Sequence, residues 1–165
     1  KPVKRPPLPK VSKESWVQSP IDAFILARLD QKKISPSPPA DKRTLIVRAT
    51  FDLIGLPPTP KEVSDFLADN SPEAFGRVVE RLLDSPHYGE RWARYWLDIA
   101  RYADTKGYVF EEERRYPFSY TYRDYVIRSF NEDLPYDQFI IQQIAADLLP
   151  LGDDKRALAG MGFLT

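Results

Sequence analysis

The segment SPHYGERWARYWLDIARYAD, from Ser85 to Asp104, holds the only histidine of the chain and two of its three tryptophans. Wound as a helix at 100° per residue, His87, Arg91, Arg94, Asp98 and Arg101 fall within about 40° of one line. The stripe offers an imidazole, three guanidinium groups and a carboxylate. Arg91 and Arg94 could hold an anionic substrate, while Asp98 and Asp104 could supply carboxylate acid–base chemistry of a hydrolase-like kind. The imidazole of His87 and the thioether of Met161 are each the only one of their kind in the chain. The same spacings also suit a solvated row of ion pairs worth a few tenths of a kcal/mol each. The site reading makes His87, Arg91, Arg94, Asp98, Arg101, Asp104 and Tyr108 the lining of a cleft.

The elements that position these residues are written in a repeated grammar. Ser19-Pro20, Thr59-Pro60, Ser71-Pro72 and Ser85-Pro86 each set a hydroxyl cap before a proline at the first helical position. Thr59 with Glu62 completes a capping box, and Ser19 with Asp22 a weaker one. Apolar spacing then gives a helix from about Pro20 to Lys32 with Phe24, Ile25, Leu26 and Leu29 buried. A second carries Leu45, Ile46, Ala49 and Leu53 and ends near Gly55. A third holds Val63, Phe66 and Leu67, and a fourth Phe75, Val78, Val79, Leu82 and Leu83.

The fifth helix, from about Pro86 to Tyr102, is apolar over more than half its circumference. That marks it as central, with Trp92 and Trp96 largely buried and Tyr88, Tyr95 and Ile99 on the same side. Two more helices follow, near Tyr122–Asn131 and Tyr136–Leu149. No alternation of period two appears. The expected fold is mainly α, an irregular or orthogonal bundle of seven to eight helices. Between the fifth and sixth helices lies a loop from Asp104 to Tyr120, rich in aromatics, with Arg114 and Arg115. Loops of this length in compact domains usually bind something or lack order. Its acids Glu111, Glu112 and Glu113 could hold a metal, but a solvated loop is the simpler reading, and no metal site is expected.

Composition narrows the classes. A chain of 165 residues with 42% hydrophobic and 29% charged content is ordinary for a globular domain. Residues 1–15 read as a Pro-rich basic linker or arm, and 16–165 as one helical domain. Lysine plus arginine equals aspartate plus glutamate at 24 each, so no overall field favours nucleic acid. No apolar run is long enough for a membrane span, and no secretory signal is visible in KPVKRPPLPK. Cysteine is absent, which removes thiol catalysis, disulfides and covalent haem attachment within this chain.

The segment SPHYGERWARYWLDIARYAD is also similar to the signature of the planctomycete cytochrome-associated domain, a PSCyt-type family of unknown function found in large exported proteins. The resemblance continues in order through SPIDAFILARL, FDLIGLPPTPKEV, YRDYVIRSFNEDLPYDQF and ADLLP, from about Trp16 to Leu164. It implies a module of a multidomain, periplasmic or exported protein, with other domains of the same parent protein as its partners. Many members carry a Cys-x-x-Cys-His haem-attachment motif downstream of the matched region. The resemblance therefore implies an electron-transfer context, with haem c on a downstream or partner segment and no cofactor within this chain. In that context His87 is the candidate nitrogen ligand for a haem iron and Met161 the candidate sulphur ligand. A purely structural interaction module is the plainer alternative.

Overall fold

The computed structural model describes residue 2, residues 4–104 and residues 117–164. Seven α-helices and three 3₁₀ helices, with no strand, make up the regular structure of the described residues. The mainly α expectation holds. The chain gathers into two compact units, Lys1–Ala40 and Asp41–Thr165. Composition divides the chain after residue 15, whereas compactness divides it at Ala40, grouping the first α-helix with the arm.

In the N-terminal unit, a 3₁₀ turn at Glu14–Trp16 precedes α1, Pro20–Gln31. Ser19 caps α1 with a complete capping box, its hydroxyl accepting from the Asp22 N–H and the Asp22 carboxylate accepting from the Ser19 N–H. The arm is tied down at Ser12, whose backbone N–H and hydroxyl both donate to Asp30, at 2.9 and 2.7 Å. Ala23 and Leu26 are buried, but Phe24 and Ile25 are exposed, contrary to the expected face. Consecutive positions at 100° intervals cannot all point one way.

In the C-terminal unit, α2 (Lys42–Ile54), α3 (Pro60–Ala68) and α4 (Ala74–Leu83) enclose a core of Ile46, Val63, Phe66, Ala74, Val78 and Leu82. Asp41 caps α2, and Gly55 ends it at φ 74°, a left-handed conformation that glycine adopts without strain. Thr59 and Glu62 form the expected box on α3. The Ser71-Pro72 cap does not form. Instead α4 starts at Ala74, and the Ser71 hydroxyl donates to Asp69 at 2.8 Å. A nearby carboxylate outcompetes the helix N–H groups for that hydroxyl.

A second core holds Ala93, Tyr122, Tyr125, Val126 and Phe139, from α5 (Pro86–Ala100), α6 (Tyr120–Asn131) and α7 (Tyr136–Ala145). Helix α5 is central as expected, packing on α2 and on α6. Its buried line differs from the expected one, for Gly89 and Ala93 are its buried residues. A Cβ at Gly89 would sit 2.3 Å from the Ile127 carbonyl oxygen, so the missing side chain sets how closely α5 and α6 approach. The Asn131 amide clamps this crossing, accepting from the Gly89 N–H at 2.7 Å and donating to the Pro86 carbonyl at 3.1 Å. Trp92 and Trp96 are half-buried, and Ile99 is 69% exposed. After α7 come 3₁₀ segments at Ala146–Leu148 and Arg156–Leu164. The second has no counterpart in the sequence reading; its Gly160 lies flat against the Tyr125 ring.

Candidate functional site

Helix α5 presents the residues singled out by sequence in three separate settings. At its start, Ser85 caps the helix, and His87 Nδ1 meets the Glu90 carboxylate at 2.7 Å. This pairing leaves Nε2 as the ring atom open to a ligand or donor. One turn on, Arg91 is drawn inward. Its stem fills the space under Gly55, and its guanidinium lies 5.3 Å from the Tyr95 ring centre. Its Nε is buried without a hydrogen-bond partner. Arg94 and Asp98 are exposed, and no ion-pair row forms between them among the described residues. Arg101 ends the helix in the left-handed conformation at φ 58°.

Asp104 joins a different group. The Tyr102 hydroxyl donates to the Asp104 carboxylate and lies 3.2 Å from the Ser119 carbonyl. Arg123 reaches both Asp104 carboxylate oxygens at 3.4 Å. The Ser119 hydroxyl donates to the Asp104 carbonyl at 2.9 Å, joining the flanks of the loop expected to carry function. Burial, with the adjacent Asp104 charge, pushes the Tyr102 phenol up to about 12. This is a locked donor rather than a free acid–base pair, and Asp98 makes no bond to it. Residues 105–116 of that loop, Tyr108 and the acids Glu111–Glu113 among them, lie outside the described residues.

Sequence reasoning missed one concave feature. A recess of about 410 Å³ opens between α5, α6 and α7, walled by Tyr88, Trp96, Phe130, Tyr136 and Phe139, with Asp133 on its lining. Trp96 meets Phe139 edge to face at 4.9 Å and Tyr136 at 6.4 Å. The Trp96 indole is fixed from behind. Its N–H donates to the Tyr122 hydroxyl at 3.0 Å and to the Gln143 side-chain oxygen at 2.9 Å. Tyr122 in turn donates to Gln143 at 2.7 Å, and the Gln143 amide donates to the Phe139 carbonyl at 3.0 Å. The only signal in sequence was the density of aromatics in YRDYVIRSFNEDLPYDQF, where core and wall residues look alike.

The family of proteins of unknown function designated PSCyt2 (DUF1549) matches residues 20–165. The chain belongs to this family. No curated protein and no solved structure matches it. Membership in PSCyt2 agrees with the resemblance seen in the sequence, and it assigns no reaction. Among the described residues, no cluster of His, Asp and Glu is placed to hold a metal ion, and no helix is long and apolar enough to cross a membrane. The chain has no cysteine, so its residues do not fit a covalently attached haem.

Proposed function

We propose that this PSCyt2 domain is a helical docking module of an exported multidomain protein, and that it seats a c-type cytochrome segment of the same parent chain. One observation carries the reading: an apolar surface on the last elements of the fold. Ile141 and Ile144 are exposed three residues apart on α7, and Leu148, in the 3₁₀ turn that follows, is 81% exposed. Leu158, Phe163 and Leu164 of the last 3₁₀ segment are exposed as well. No charged side chain interrupts the sequence between Asp137 and Asp147. Scattered exposed apolar residues are ordinary, but an exposed apolar pair on a helix face without intervening charge, followed by a largely exposed leucine in the next turn, suits a partner surface.

The cytochrome, the redox context and the periplasmic or exported setting rest on the family resemblance, and the apolar surface supports a neighbour of some kind. Haem would belong to the neighbour, since this chain has no thiol to hold it. His87, with Nδ1 held by Glu90, would offer Nε2 if the neighbour's iron used an outside ligand. Isolation of the intact protein from its native source, followed by a pyridine haemochrome assay, tests the reading. Haem c on the polypeptide that contains this domain is the expected result. A parent protein free of haem c would remove the cytochrome from the proposal.

A further inference from the structure

We propose that the recess between α5, α6 and α7 is a binding site for a small free organic cation of the quaternary-ammonium class. Its walls are the faces and edges of Tyr88, Trp96, Phe130, Tyr136 and Phe139, and its volume of about 410 Å³ suits a small molecule. Asp133 is the one charged residue on the lining. It sits in the turn between α6 and α7 at φ 48°. Backbone bonds on either side hold it there, from its own N–H to the Phe130 carbonyl and from the Leu134 N–H to the Ser129 carbonyl.

The charge balance around the turn decides the ligand class. Glu132 takes the nearby cations, with Arg156 at 3.6 Å and Arg128 at 4.0 Å. The neighbouring Asp133 carboxylate has neither ion pair nor hydrogen bond among the described residues. The recess thus combines aromatic walls with one solvent-exposed carboxylate on its lining that no described cation pairs. A cation that cannot donate hydrogen bonds is satisfied by that combination, through ring quadrupoles and a single carboxylate. An anion would be repelled. A sugar would need several polar partners, and the Ser129 hydroxyl is already committed to the Tyr125 carbonyl at 2.8 Å. The proposal rests on the recess itself and not on the docking reading, although Tyr136 and Phe139 of its walls belong to α7.

Calorimetric titration of the 165-residue chain with choline chloride at low ionic strength tests it, beside 3,3-dimethylbutanol, the neutral isostere. Choline should bind saturably and shift the Trp96 indole N–H resonance, with the isostere at least tenfold weaker. Asp133→Asn should weaken choline at least tenfold. Asparagine tolerates the left-handed backbone, and an unchanged urea midpoint would show that the variant folds. Tyr136→Leu, at a largely exposed position, should weaken binding without unfolding. Absence of saturable binding, equal affinity for the isostere, or an unaffected Asp133→Asn variant would overturn the assignment. Binding of cellobiose in place of choline, or of phosphatidylcholine vesicles without free choline, would overturn it too.

Discussion

Gly89→Ala should loosen the crossing on which the second core depends. The added Cβ would lie 2.3 Å from the Ile127 carbonyl oxygen and 2.6 Å from Asn131 Oδ1. The first is backbone and cannot swing away, so α5 must withdraw from α6. Overpacking of this kind costs about 1–3 kcal/mol. Loss of the Gly89 N–H bond to Asn131 adds about 1 kcal/mol. Alanine's better helix propensity returns about 1 kcal/mol. The net destabilisation is about 2 kcal/mol, which lowers a urea midpoint by about 1 M at an ordinary slope. Gly76 in α4 supplies the control, because nothing lies within 4 Å of a Cβ built there. Gly76→Ala should therefore stabilise the chain by about 0.5–1 kcal/mol. Urea titrations followed by far-UV circular dichroism would compare the two. A Gly89→Ala protein as stable as the parent would refute the close crossing and the α5–α6 geometry built on it.

Gln143→Leu should cost about 1–3 kcal/mol, since the buried Tyr122 hydroxyl loses its acceptor; a matching rise in Trp96 fluorescence heterogeneity would report the released indole. Arg91→Met should stay within about 1 kcal/mol of the parent, because the stem packing is kept and a buried unpartnered Nε disappears; a much larger loss would mean that the guanidinium is held by bonds the geometry lacks. Acid should weaken the fold between about pH 4 and pH 2. Hydrogen bonds from the Ser71 backbone and then Arg77 lower Asp69 from 3.8 to about 2, and the Arg156 side chain lowers Asp154 likewise. Backbone N–H groups at helix starts lower Asp22, Asp41 and Glu62. The folded state keeps these carboxylates charged while the unfolded chain takes up protons, so their contribution is present above pH 4 and fades as pH falls. Asp69→Asn should flatten the acid limb of a stability–pH curve, and an unchanged limb would count against the Ser71 and Arg77 contacts.

Helix starts were legible because each cap is a local bargain between a few neighbouring groups. Ser19, Thr59 and Ser85 act as their spacing says, and Ser71 departs only because Asp69 lies two residues away. Burial was less legible. The apolar sector of α5 correctly marked that helix as central, but it put Trp92, Tyr95 and Ile99 foremost, whereas Gly89 and Ala93 are the buried residues. The close approach of α6 reverses that order, since the smallest side chains occupy the contact and the large ones spread around its rim. Periodicity weighs hydrophobicity and is blind to size. The polar stripe was geometrically correct as a line on a helix. Its residues nonetheless part company, because Gly55 leaves room for the Arg91 stem while His87 pairs within its own turn. The recess was invisible for another reason: its walls come from three helices, and its charge comes from a turn residue that has no helical phase.

Photo-crosslinking from the α7 surface tests the docking reading most directly. A benzophenone amino acid at position 144, where Ile144 is 57% exposed, would be introduced into the intact parent protein and irradiated. The account predicts that the dominant crosslink joins α7 to a peptide of the same chain bearing a Cys-x-x-Cys-His motif, and that Ile141→Asp with Leu148→Asp abolishes it. Crosslinks only to solvent or scattered over unrelated proteins, with α7 equally reactive in the isolated domain and the intact protein, would contradict it.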